Sequence, residues 1–131
     1  MKPHRASDRP AIAVGLPLST GFPSPADDYE EPPLDLHHLV VENPYSTFFM
    51  RAETKSMGMA RIEPGDILVV DRSKEPRDGM IIIAVIQGMF RVMRYRSDTD
   101  EFVLEDDKGV IASPGAQVWG VVTYIIHRAA A

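Results

Sequence analysis

Two apolar runs, Met80 to Ile86 and Met89 to Arg96, are separated only by Gln87-Gly88, and this spacing constrains the fold more than any other feature of the chain. A two-residue loop ending in Gly joins antiparallel strands, because glycine adopts the positive φ that a twisted hairpin turn demands. Similar punctuation recurs on both sides. Thr47 to Ala52 is rich in β-branched and aromatic residues and runs into the polar stretch Glu53-Thr54-Lys55-Ser56. Glu63-Pro64-Gly65-Asp66 is a turn, and Ile67 to Val70 behind it is an uninterrupted apolar strand of the buried kind. Ser97-Asp98-Thr99-Asp100 is a further turn before Phe102-Val103-Leu104, and Val118 to Ile126 is a last strand. Asp35 to Val41 suits one helical turn leading toward a strand. Short strands with turns at this frequency predict a mostly β, barrel-like domain.

The N-terminal region differs. From Met1 to about Pro33 the chain carries many of its 11 prolines, and each X-Pro pair removes a donor and favours extended backbone. An extended arm over 1–33 is expected, unsuited to a regular helix or a central strand but able to lie in a groove as a peptide. The β domain is expected over 34–127, with a short tail at 128–131. At 131 residues the chain has room for one core. The net charge of −5 argues against a cationic surface that collects phosphates, so direct sequence-specific DNA binding is not expected. The absence of cysteine removes disulfide and thiolate-metal frameworks. No apolar run approaches the roughly 20 residues of a membrane span, and the N-terminus lacks the apolar stretch of a secretion signal, so a cytoplasmic protein with no membrane contact is expected. The seven methionines and five phenylalanines are read as core filling, with no cofactor and no metal. Leu104-Glu105-Asp106-Asp107 is read as a solvated loop.

Gly21 to Tyr29, Ser56-Met57, Ile62 to Asp71 and Trp119 to Val122, four elements in order, resemble the LexA-type self-cleaving serine peptidases, and within them the UmuD-like members. Gly21-Phe22-Pro23-Ser24-Pro25-Ala26-Asp27-Asp28-Tyr29 resembles the segment that follows the scissile bond. Ser56-Met57 resembles the Ser-Met of the peptidase site. Ile62, with Gly65-Asp66-Ile67-Leu68-Val69-Val70-Asp71, resembles the family's I-x-x-G-D strand, and Trp119-Gly120-Val121-Val122 its closing strand. The resemblance implies a LexA/UmuD-type, signal-peptidase-like β barrel with an N-terminal arm. It also implies an accessory subunit of an error-prone translesion DNA polymerase in the SOS response, working as a homodimer or as a heterodimer with a related subunit, with the polymerase catalytic subunit and a RecA-DNA filament as partners. About 20 residues precede Gly21, too few for the helix-turn-helix domain of the repressors that share this peptidase domain.

The resemblance assigns Ser56 as the nucleophile position and Thr20-Gly21 as the cleavage site. A serine hydroxyl needs a base, and the family uses a lysine kept neutral by apolar burial. Following the match without gaps from Ser56 brings that position to Met93, which accepts no proton. Arg94 beside it points to the opposite face of a strand and stays protonated. Lys55, His37, His38 and His127 remain as unconventional bases for a working peptidase, although none matches a family position. A third alternative is a non-enzymatic decoy that forms heterodimers with an active relative. Thr before the scissile bond, where the family has Ala or Cys, points with Met93 toward impaired self-cleavage.

Overall fold

The computed structural model describes residues 1–8, 33–53, 57–97, 102–111 and 116–130. Eight strands form one sheet, β1 (His4–Arg5), β2 (Thr47–Arg51), β3 (Ile67–Asp71), β4 (Ile81–Ile86), β5 (Met89–Ser97), β6 (Phe102–Asp106), β7 (Gly109–Ile111) and β8 (Gln117–Ile126). Their spatial order is β1-β2-β3-β8-β4-β5-β6-β7, and every ladder is antiparallel. One short helix, α1 (Leu36–Val40), is capped by Asp35, whose side chain accepts from the His38 amide.

The expected hairpin is present. Gln87 and Gly88 both take positive φ, 52° and 75°, the geometry that matches the twist of the flanking strands. β4 and β5 then pair from Ile81 opposite Arg94 to Ile86 opposite Met89. β8 threads between β3 and β4, with register shifts at Val69/Val70 and at Ile83/Ala84. Bulges of this kind bend a strand and deepen its twist. Gly120 lies at the crossing because a Cβ there would stand 2.6 Å from the Val70 side chain. The sheet curls enough that the Gly58 amide, in the 3-10 turn Gly58–Ala60, donates to the Asp107 carboxylate beyond β6 at 2.6 Å. The turn that follows β2 is thereby tied to the far end of the sheet.

The curl creates two apolar interiors along the central strands. One contains Met50, Met57, Leu68, Val70, Ile83 and Val92. The other contains Ile82, Ala84, Ile86, Met93, Leu104 and Val121. Neighbouring residues of β4 and β5 alternate between them, Ile82 against Ile83 and Met93 against Val92, as the two-residue period of a strand requires. A third group, Ala6, Val40, Val41 and Val69, with Phe49 packed against it, binds α1 and the N-terminal segment to the sheet. Phe48, Trp119 and Phe90 form an edge-to-face row with 5.1 Å between successive centroids. The Arg72 guanidinium covers Trp119 at 4.5 Å.

One expectation is corrected by packing. The acidic cluster is not a solvated loop: Asp106 ends β6, is 1% exposed, and is paired with Arg91 of β5 at 3.1 Å. A cross-strand cation makes that burial tolerable. Within the N-terminal region, His4 and Arg5 add an edge strand to β2 and Ala6 is buried. That outcome still respects the limits that proline sets, because the added strand is an edge strand. Among the described residues no helix is long and apolar enough to cross a membrane.

Candidate functional site

Of the residues that the sequence marked for chemistry, Met93 lies within the described structure. Thr20, Gly21, Lys55 and Ser56 lie outside the described residues. Two described residues lie on either side of Lys55 and Ser56 in the chain. Ala52, just beyond β2, donates its amide to the Asp66 carbonyl at 2.9 Å and accepts from the Gly65 amide at 2.7 Å. Met57 is 1% exposed within the first apolar interior.

Met93 has no exposed surface. It stands opposite Ile82 in the β4–β5 ladder and packs within Ile82, Ala84, Leu104 and Val121, with Met80 and Tyr95 nearby. An ammonium group placed there would lose its hydration without gaining a carboxylate, and such surroundings drive a lysine toward its neutral form. The cluster thus has the character that keeps a lysine neutral, and the residue it holds is an unbranched thioether. Arg94, its neighbour, turns the other way and donates from Nη1 to the Gly79 carbonyl at 3.0 Å. The sequence argument that excluded it on geometry agrees with this placement.

Two of the histidines weighed as bases, His127 and His37, have partners away from Met93. His127, just beyond β8, meets Asp66 with Nδ1 2.7 Å from Oδ1. Asp66 is 3% exposed. Burial pushes its carboxyl upward, but the Glu63 amide and then His127 outweigh burial and hold it below the usual carboxylate range. An aspartate that orients an imidazole is half of a catalytic triad in form, so its position matters. Met93 lies across from Ile82, Ile82 from Val121, and Val121 from Asp71. Asp71 is the last residue of β3 and Asp66 immediately precedes its first. At about 3.3 Å per residue the two levels are roughly 16 Å apart, so His127 does not replace a base at the Met93 position. His37 and His38 lie on α1, where His37 meets Phe49 edge-on at 6.0 Å, beside the third apolar group.

Sequence reasoning missed three polar features. Asp71 is buried and accepts from Asn43 Nδ2, Ser46 Oγ and both the amide and hydroxyl of Ser73, at 2.6 to 2.9 Å. Burial raises its pKa, yet these donors prevail and hold it below the usual range. The Asp66–His127 pair is the second. A carboxylate at the head or tail of an otherwise apolar strand signals that partners are needed, but sequence does not say which. The third is a cavity of about 610 Å³, lined among others by Met1, Ala52, Glu53, Phe90, Arg91 and Asp106. It opens beside the start of the serine segment. Among the described residues no group of three or more His, Asp or Glu is placed to hold a metal ion.

With this geometry established, comparisons with known proteins are informative. The peptidase S24-like family profile matches residues 13–107, a span that includes both Ser56 and Met93. Protein ImpA of Escherichia coli is 42% identical over 118 residues, covering 82% of this chain and 77% of its own length. Protein MucA of Escherichia coli is 36% identical with the same coverage. Protein SamA of Salmonella typhimurium is 38% identical over 130 residues, covering 94% of this chain and 93% of its own. The resemblance read from four short motifs therefore extends along most of the chain, and the protein belongs to the peptidase S24-like family as one of its UmuD-like members.

Proposed function

We propose that this protein is a UmuD-like accessory subunit of an error-prone translesion DNA polymerase, acting in the SOS response, whose own cleavage at Thr20-Gly21 is disabled at the base. The observation that carries the second half is the Met93 environment: no exposed surface and apolar neighbours on adjacent strands. The family match and the three relatives support the first half. In this reading Ser56 keeps the nucleophile position and Met93 takes the place of the lysine. The thioether fills the volume of the lysine stem, so the fold keeps its packing while the chemistry loses its proton acceptor. The protein would work as a homodimer, or as a heterodimer with a related subunit, in the cytoplasm alongside the polymerase catalytic subunit and a RecA-DNA filament.

The reading is tested by restoring the base. Wild-type protein and Met93→Lys are incubated at pH 7 and pH 10, with and without a RecA-DNA filament, and intact mass is followed. Wild type should keep its mass throughout, and the variant should yield a species beginning at Gly21, faster at pH 10, where a larger fraction of the lysine is neutral. Adding Ser56→Ala to the variant should abolish that product. Cleavage of wild type that depends on Ser56 would overturn the proposal and require another base.

A further inference from the structure

The first eight residues are bound to the β domain like a peptide ligand. His4 and Arg5 pair antiparallel with Phe49 and Phe48, covering the edge that β2 would otherwise present. That register, continued, brings Met1 opposite Ala52, and the Met1 side chain is only 6% exposed against the first apolar interior. At the other end Ala6 is 2% exposed among Val40, Val41 and Val69. The Arg5 guanidinium lies 5.7 Å above the Phe48 ring. Two apolar anchors with a short ladder between them are the pattern of strand addition at a sheet edge, in which main-chain bonds give affinity and side-chain pockets give selectivity.

We propose that the edge of β2, with the cavity over Ala52 at one end and the Ala6 socket at the other, is a docking groove for an extended peptide. Residues 1–8 are its resident ligand, held by covalent attachment more than by affinity. Two paired residues and two buried side chains are a small contact, and as a free peptide the segment must also offset the entropy of association. Its dissociation constant should then be on the order of a millimolar, whereas covalent attachment supplies an effective concentration of the same order or higher. Chain continuity through 9–32 therefore decides whether the groove is filled. A vacated groove would leave unpaired amides and carbonyls on β2, a template for another extended strand carrying an unbranched apolar residue and, five residues later, a small one.

The test does not depend on self-cleavage. A recognition sequence for a sequence-specific protease is placed within 9–32 of the full chain, and amide hydrogen exchange of residues 47–51 is compared before and after cutting. Cutting followed by gel filtration at micromolar concentration should remove the fragment and raise exchange in β2 about tenfold or more. A synthetic peptide of residues 1–8 should restore protection at millimolar but not at 10 µM. Unchanged β2 exchange after loss of the fragment would overturn the groove, and a fragment that co-elutes at micromolar concentration would overturn the role of the tether. Ala6→Asp in the uncut chain should raise β2 exchange while β4 and β5 stay protected. If that variant also loosens β4 and β5, Arg5→Ala is read instead: a rise confined to β2 supports the groove and no rise counts against it.

Discussion

The two sides of β5 solve different problems with adjacent residues. Val92 faces the interior that contains Met57, while Met93 faces the interior of Ile82, Ala84 and Val121. On the Val92 side the apolar packing gives way, toward the cavity, to ionic groups: Glu53, the Arg91–Asp106 pair and Lys108. On the Met93 side it remains apolar. The difference teaches that, in the function proposed above, a position can lack the proposed base without any change of architecture. The pocket that would depress a lysine's pKa is also one that accepts a methionine without strain, so exchange between the two is nearly neutral for packing and decisive for proton transfer.

The comparison is broken or sharpened most strongly by Met93→Lys. A positioned general base contributes about 10²- to 10⁴-fold, so self-cleavage followed by intact mass should rise by at least that lower factor. The same substitution should cost about 3–5 kcal/mol at pH 7, since the buried amine must fold neutral against a reference pKa near 10.4. Denaturant unfolding should show that cost shrinking as pH rises toward 10. Met93→Ala removes packing alone and should destabilise by about 2–5 kcal/mol without producing cleavage. Cleavage by the alanine variant would mean that the base lies elsewhere.

Smaller effects concern the polar supports away from β5. Asp71→Ala leaves the donors of Asn43, Ser46 and Ser73 unanswered and should cost about 1–3 kcal/mol. Because the Asp71 and Asp66 carboxyls both lie below their usual range when folded, the stability they contribute is fully present above about pH 4 and is lost as pH falls through their folded values. Thermal melts should therefore drop on the acid side of pH 4, and Asp71→Asn should flatten that drop. The smallest effect is expected at the hairpin, where Gly88→Ala places a side chain at φ 75° and should cost about 1 kcal/mol.

The positions of β2 to β6 and of β8 were legible because each carries its own signal. Ile67 to Val70 is an apolar run behind a Pro-Gly turn, and Gln87-Gly88 fixes the register of β4 and β5 with two residues. Within the candidate site, the placement of Met93 on the face opposite Arg94 followed from strand alternation. Asp106 was misread because local sequence shows an acidic run, whereas its partner Arg91 is on another strand. The role of residues 1–8 was missed for a related reason: a polar, proline-bearing segment has no periodicity of its own, and only the edge of β2 gives it one.

The sequence by itself determined the positions of β2 to β6 and of β8, the turns between β3, β4, β5 and β6, the family and the residue at position 93, since all of these are properties of local pattern or of residue identity, whereas β1 and β7 exist only through their pairing partners. The tertiary structure decided that β8 runs between β3 and β4, that Met93 is sealed from solvent, and that His127 lies about 16 Å along the sheet from the Met93 level, paired with Asp66. These depend on pairings between residues far apart in the chain. Backbone hydrogen bonding is the same for every strand, so the choice among partners is made by the packing of whole faces, which no single segment contains.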